Sequence, residues 1–193
     1  MKSRRGIFGG TFDPVHTGHI HSALSFLNSG LIDDLLVLLT PDPPHKDTSG
    51  RTPYHHRLEM LRLAFNGVHN VIVSDLETTL PQPSYTLQTV DYLTQANPDT
   101  LFYLCIGQDS LSAFHTWYKY EEILAKTDLL VAERPGYPTD QLAETIRESV
   151  IFVNHEPVDI SSTRIRNRSH AINYHTPQAV IDYILENQLY KKP

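Results

Sequence analysis

Arg5-Gly6-Ile7-Phe8-Gly9-Gly10-Thr11-Phe12-Asp13-Pro14-Val15-His16-Thr17-Gly18-His19 is the stretch that decides the fold. A short apolar run ends in two glycines, a turn follows at Asp13-Pro14, and an amphipathic segment starts near Thr17 and continues through Ile20, Leu24 and Leu27 to Gly30. That order predicts a strand, a tight loop and a helix with Thr17 as its N-cap. Gly9 and Gly10 let the backbone approach a ligand closely. His16 and His19 stand three residues apart and so share one face of the first helical turn. Both imidazoles then point to where unpaired N–H groups and the helix dipole favour an anion, and a phosphate chain is the natural guest. A Gly-rich turn with helix-capping histidines is the plainer alternative. The coincidence of strand, glycines, helix and His-x-Gly-His spacing favours phosphate. The dinucleotide fingerprint Gly-x-Gly-x-x-Gly is absent, and no Gly-Lys-Ser/Thr of a P-loop follows.

Outward from this stretch, strand-like runs alternate with helical periodicity. Residues 34–39 form a continuous apolar run, as expected of a parallel strand buried on both faces. The proline-stiffened loop after it ends at Lys46, for which position alone leaves a solvated lysine and a phosphate contact equally open. Thr52-Pro53 predicts an N-cap and first helical residue, and Leu58, Leu61 and Phe65 then read as core packing only, with Gly67 as the stop. A third strand is expected at 71–73. In the loop 80–86 a helix starts around Ser84 to Thr86, where capping is one role and free N–H groups able to hold a carboxylate are another.

The fourth strand, 101–106, runs into Gly107-Gln108-Asp109. A glycine there admits a ligand, and Asp109 either accepts ribose hydroxyl hydrogen bonds or caps the next helix. Trp117, the single tryptophan, reads as core or as a stacking platform. After a fifth strand at 129–132 comes Arg134, placed to stack on a base or pair with a phosphate, in a loop that otherwise only turns the chain. A short sixth strand at 151–153 precedes Ile160-Ser161-Ser162-Thr163-Arg164-Ile165-Arg166, where Ser161 or Ser162 caps a helix with two arginines in its first turn. Cations there oppose the helix dipole by ~0.3–1 kcal/mol each, a penalty that an incoming polyphosphate reverses. The last helix, from Thr176-Pro177 through Val180, Ile181 and Ile184, is an amphipathic lid without visible chemistry.

This alternation predicts an α/β fold: a Rossmann-like open parallel sheet of five or six strands with helices on both faces. The 193 residues, 40% of them hydrophobic, suit one domain spanning 1–193, whose C-terminal helical portion from about 161 packs on the same core. The functional groups follow strands one, two, four, five and six, on the carboxyl side where such sheets bind ligands. No apolar run approaches the ~20 residues that cross a bilayer and no signal-peptide core is present, which suits the cytoplasm and excludes a membrane role. A net charge of −6 argues against nucleic-acid binding, so cations must be gathered locally: His16, His19, Lys46, Arg134, Arg164 and Arg166. Cys105, the single cysteine, lies in an apolar run and reads as a small buried hydrophobe.

The stretch from Gly9 to His19 resembles the signature of the nucleotidyltransferases with a (His/Thr)-x-Gly-His motif. Within them the chain is most similar to the bacterial nicotinate mononucleotide adenylyltransferase family, with matches recurring from residue 6 to residue 166. The resemblance implies adenylyl transfer from ATP to nicotinate mononucleotide in NAD biosynthesis, yielding the deamido dinucleotide and pyrophosphate. By it, ATP is held at Gly9, Gly10, Thr11, His16, His19, Gly107, Asp109 and Arg134, and by Ser162, Thr163 and Arg166 on the β- and γ-phosphates. Arg164 falls at the variable position of the Ile-Ser-Ser-Thr-x-Ile-Arg motif. Nicotinate mononucleotide is met by Lys46 at its phosphate, by the main chain of Ser84, Tyr85 and Thr86 at its carboxylate, and by Trp117 stacked on the pyridine. His16, His19, Lys46 and Arg166 carry the catalysis.

Mg²⁺ is expected to travel with ATP on phosphate oxygens and water, without protein metal ligands. The partners are then small molecules, and assembly into a homo-oligomer stays open. The alternatives are the same transfer to nicotinamide mononucleotide or phosphopantetheine, or a non-catalytic nucleotide-binding module.

Overall fold

The computed structural model describes residues 2–43, 50–133, 142–167 and 175–190. Six strands form one sheet: β1 (Ser3–Gly10), β2 (Asp34–Leu39), β3 (Val71–Ser74), β4 (Thr100–Gly107), β5 (Asp128–Ala132) and β6 (Val150–Val153). Their order is β3-β2-β1-β4-β5-β6, and every pairing is parallel. β2 is apolar throughout its buried length because both of its faces are covered.

Successive strand residues point to opposite faces, which sorts the core into two layers. Phe8, Leu35, Val37 and Leu39 pack on one side with Phe26, Leu61, Ile165 and Ile181. Ile7, Leu36, Leu38 and Leu104 pack on the other with Val90, Phe114, Ile123 and Ile146. The first layer is covered by α1 (Thr17–Asn28), α2 (Tyr54–Phe65), α7 (Ser162–Asn167) and α8 (Gln178–Glu186). The second is covered by α3 (Thr86–Ala96), α4 (Gln108–Ser112), α5 (Tyr120–Leu124) and α6 (Glu144–Glu148). Fully burying a phenylalanine such as Phe26 contributes roughly 1.5–3 kcal/mol, so α1 is held mainly by its apolar face. The late helices α7 and α8 join the same cluster as β1 and β2 through Ile165, Val180, Ile181 and Ile184.

The strand order places the site. From β1 the chain crosses outward to β2 and β3, then returns to pair β4 with β1 on the opposite edge. Connections therefore diverge between the carboxyl ends of β1 and β4, where an open α/β sheet leaves a crevice. Among the described residues no helix is long and apolar enough to cross a membrane.

The starts of α1 and α2 differ from expectation. The N-cap of α1 is His16, in extended backbone (φ −146°, ψ 170°), and Thr17 is the first helical residue. The shift follows from His19, whose ring Nδ1 reaches back and accepts the His16 backbone N–H at 3.2 Å. A side chain three residues on thus does what a capping-box glutamine would do. α2 has Pro53 at its N-cap position and starts at Tyr54, one residue later than expected. Nor is α2 core packing only, because Arg57 on its buried face is 2% exposed.

Candidate active site

Two adjoining clefts open over the carboxyl ends of β1 and β4. The larger, about 490 Å³, lies between the β1–α1 loop, the start of α1 and the start of α7, and its lining includes Gly9, His16, His19, Ser162, Thr163 and Arg166. The smaller, about 360 Å³, lies between β1, the start of α3 and the segment after α4, and its lining includes Ser84, Tyr85, Thr86 and Trp117. Gly9, Gly10, Thr11, Gly107 and Asp109 line both.

The histidine pair is held stiffly. Its rings stack with centroids 3.7 Å apart and planes 23° from parallel, and Phe12 meets the His19 ring edge-on at 4.9 Å. Because Nδ1 of His19 accepts a backbone N–H, the neutral ring carries its proton on Nε2. Gly18 packs closely here, since a Cβ there would lie 3.1 Å from the His16 ring and 3.3 Å from Ile160 and would press on both. Gly9 is different: a Cβ there would meet nothing within 4 Å, so the space above it is open for a ligand.

The loop between β1 and α1 is tied down from several directions. Arg166 donates to the Asp13 carbonyl at 2.6 Å and to Thr163 Oγ1 at 3.2 Å, and the Ser162 hydroxyl donates to the Pro14 carbonyl at 3.0 Å. Ser161 caps α7 by accepting the Arg164 N–H at 3.2 Å. Arg164 itself turns to the Asp159 carboxylate at 3.0 Å, which suits its place at the variable position of the motif. From below, Arg57 donates to the carbonyls of Thr11 (2.9 Å), Thr40 (3.1 Å) and Thr52 (3.0 Å). Burial lowers the pKa of this guanidinium and the nearby Asp13 charge opposes that shift. The Asp13 carboxylate, 5% exposed, accepts the Tyr190 hydroxyl at 2.6 Å and the Thr52 N–H at 3.3 Å.

In the smaller cleft the cap position of α3 is Tyr85, not Ser84 or Thr86. Ser84 faces backward, its N–H on the Asp42 carbonyl at 2.8 Å and its hydroxyl on Gln82 Oε1 at 2.9 Å. The Tyr85 N–H is met by Gln88 Oε1 at 3.3 Å. Trp117 is half-buried against Phe114 at 5.1 Å and lines the cleft. Glu77, 6% exposed, also lines it. Its Oε1 accepts the Thr89 hydroxyl at 2.9 Å, and burial pushes its carboxyl pKa up, against the opposing hydrogen bonds. Between the clefts, Asp109 folds back over β4, so that a Cβ on Gly107 would lie 2.6 Å from its Oδ1. Cys105 is buried, and burial pushes its thiol pKa up, as befits a packing residue.

Thus His16, His19, Gly9, Gly10, Thr11, Gly107, Asp109, Ser162, Thr163 and Arg166 converge on the larger cleft, and Ser84, Tyr85, Thr86 and Trp117 on the smaller. Lys46 and Arg134 lie outside the described residues. Sequence reasoning missed Arg57, Glu77, the Asp13 carboxylate and Tyr190. For Arg57 a signal existed: a charge in register with Leu61 and Ala64 on an apolar helix face. Tyr190 offered none.

Sheet order, glycine floor and paired clefts define an open parallel α/β protein with two adjoining clefts at its topological switch point. The chain belongs to the cytidylyltransferase-like family, whose sequence model matches residues 7–168, and it is a nucleotidyltransferase. It is 35% identical to a protein of Geobacter sulfurreducens named "Probable nicotinate-nucleotide adenylyltransferase", over 97% of this chain and 98% of that one. A Streptococcus pneumoniae protein of the same name is 34% identical over 96% of this chain and 88% of its own. In fold, the chain resembles Plasmodium falciparum nicotinic acid mononucleotide adenylyltransferase complexed with APC, with a TM-score of 0.80 at 21% identity over 97% of both chains. The same enzyme complexed with NaAD matches with a TM-score of 0.78 at 22% identity.

Proposed function

We propose that the chain transfers the adenylyl group of ATP to nicotinate mononucleotide, giving nicotinate adenine dinucleotide and pyrophosphate. The observation that carries this is the pair of clefts sharing the Gly9–Thr11 floor and Asp109. ATP occupies the larger and the acceptor the smaller, so that the acceptor phosphate faces the α-phosphorus across the glycines. The names of the relatives favour the same reaction.

A phosphate oxygen of the acceptor bonds to the α-phosphorus as the bond to the bridging oxygen of the β-phosphate breaks, and pyrophosphate leaves with that electron pair. A phosphate monoester has a second pKa of about 6, so at neutral pH the nucleophile is largely a dianion and needs no base. Catalysis reduces to in-line alignment and to neutralising the charge that builds on the transferred and leaving phosphates. His19, with its proton on Nε2, and His16 donate to the α-phosphate. Gly9, Gly10 and Thr11 let it approach the backbone, and Ser162, Thr163 and Arg166 hold the β- and γ-phosphates.

Asp109 beside Gly107 accepts ribose hydroxyls. Lys46 and Arg134 add charge to the acceptor phosphate and to ATP respectively, a reading that rests on their place in the sequence. Trp117 stacks on the pyridine. A nicotinate carboxylate at the start of α3 displaces Gln88 from the Tyr85 N–H and adds that of Thr86, with Ser84 shaping the turn. Mg²⁺ enters as part of the ATP substrate and screens its phosphates. Hydroxyls, imidazoles and the two guanidiniums of Arg51 and Arg166 outnumber the carboxylates of Asp13 and Asp109 in the larger cleft's polar lining, which suits a metal carried on phosphate oxygens and water.

The test is pyrophosphate release with Mg-ATP, offering nicotinate mononucleotide, nicotinamide mononucleotide and phosphopantetheine in parallel. Strong preference for the first is expected. An exclusive amide or pantetheine product overturns the carboxylate-binding role of residues 84–86, and ATP binding without turnover on any acceptor supports a binding module instead.

A further inference from the structure

The chain end beyond α8 is not a passive lid. After Glu186 the backbone bends back, with Leu189 N–H on the Ile184 carbonyl at 3.0 Å and positive φ at both Gln188 (56°) and Tyr190 (60°). Non-glycine residues are strained in this region, so a favourable contact must hold them there. For Tyr190 that contact is Asp13 Oδ1 at 2.6 Å, across 177 positions of sequence. Asp13 lies three residues before His16, and its other groups are bound as well: Oδ2 by the Thr52 N–H and the carbonyl by Arg166. Burial, together with the Asp13 charge, pushes the Tyr190 hydroxyl pKa far up, so it remains a proton donor throughout the working range.

We infer that Tyr190 is a positioning residue for the proposed transfer: its hydroxyl latches Asp13 and so fixes the loop that presents His16 and His19 to the larger cleft. The inference rests on the adenylyl-transfer reading for its kinetic consequence and on geometry alone for its structural one. The smaller cleft is lined by neither Asp13 nor the histidines, which separates a latch from general stabilisation.

The experiment compares wild type, Tyr190→Phe and Tyr183→Phe. Tyr183 is a control in α8, since its hydroxyl meets His56 at 2.9 Å and neither residue lines either cleft. Tyr190→Phe is expected to lower kcat about tenfold or more with an unchanged KM for nicotinate mononucleotide, and to lower the melting temperature more than Tyr183→Phe does, because it takes a donor from the buried Asp13 carboxylate. Tyr183→Phe should keep wild-type kcat. Adding Tyr190→Phe to Asp13→Ala should slow the enzyme far less than Tyr190→Phe slows wild type, because the bond to Asp13 is already lost and only the contact with the Thr52 side chain remains to be removed.

A Tyr190→Phe enzyme with wild-type kcat overturns the latch, as does a loss shared with Tyr183→Phe or one that raises the nicotinate mononucleotide KM equally. The imidazole NMR signals of His16 and His19 in the ligand-free protein give an independent reading. They should move in Tyr190→Phe and stay in Tyr183→Phe, and unmoved signals in Tyr190→Phe overturn the latch whatever the reaction proves to be. A wild-type protein without turnover removes the functional proposal and leaves the latch to be decided by those signals.

Discussion

His19 does two jobs with one ring. Nδ1 accepts the His16 N–H and completes the helix cap, which puts the neutral ring's proton on Nε2, and the residue lines the larger cleft. Replacing it by alanine removes a cap contact costing ~1 kcal/mol and one donor at the place where charge develops, worth ~10²-fold in rate. His19→Ala is therefore expected to lose about 10²-fold in kcat while calorimetry shows ATP affinity changing only a few-fold. Unchanged turnover would falsify the donor role.

Glu77 makes a prediction in the opposite direction. Burial raises its carboxyl pKa, so the folded state holds the proton more tightly than the unfolded chain does. Its contribution to stability is present at low pH and lost as pH rises through the raised value, above which the buried charge is a standing cost. Glu77→Gln removes the charge, and its Oε1 still accepts from Thr89. Melting curves across pH should show the variant more stable than wild type at neutral pH, with the difference shrinking as pH falls. A difference that grows toward acid would refute this.

Among the elements, α2 tethers the site through Arg57, whose guanidinium holds three carbonyls of the loops after β1, after β2 and before α2. A buried acceptor left without its donor costs about 1–3 kcal/mol. Arg57→Met should accordingly lower the unfolding free energy in urea by roughly 3 kcal/mol or more. Arg57→Lys should recover only part of that, because a single ammonium lacks the planar fork that reaches three separated acceptors. Full stability in Arg57→Met would mean that the loops hold their own conformation. The geometry of α7 belongs to the same level: Ser162 and Arg166 brace the β1–α1 loop, so this helix both lines the cleft and shapes its neighbour.

At the scale of the whole molecule, two clefts divide one floor. A ligand that binds only the folded state stabilises it by about 2.7 kcal/mol at a hundred times its dissociation constant. Mg-ATP and nicotinate mononucleotide should each raise the melting temperature of the wild type. Gly9→Ala should melt like wild type when free, since its Cβ meets nothing within 4 Å, yet lose the shift from both ligands because Gly9 lines both clefts. A full shift from either ligand would place that ligand away from the glycine floor. On a protein of net charge −6, a polyanion would be met by local groups, here the Arg51 and Arg166 guanidiniums and the two imidazoles of the larger cleft.

The sequence by itself determined six strands, the helices between them and the convergence of the glycine, histidine and serine-arginine motifs, because hydrophobic period and glycine punctuation are local signals read within a turn or a strand. It also located the smaller cleft's Trp117 and Ser84 to Thr86 region, through resemblance more than through pattern. Tertiary structure decided the rest. The order β3-β2-β1-β4-β5-β6 sets which loops face each other. The N-cap moved to His16 because a side chain, not the backbone pattern, completes that cap. Arg57 could have been suspected from its place on an apolar face, but its three carbonyl partners could not. Nothing local marks Tyr190, because its partner is Asp13 at the other end of the chain, and such a contact exists only once the sheet and both helical layers have brought the two ends together.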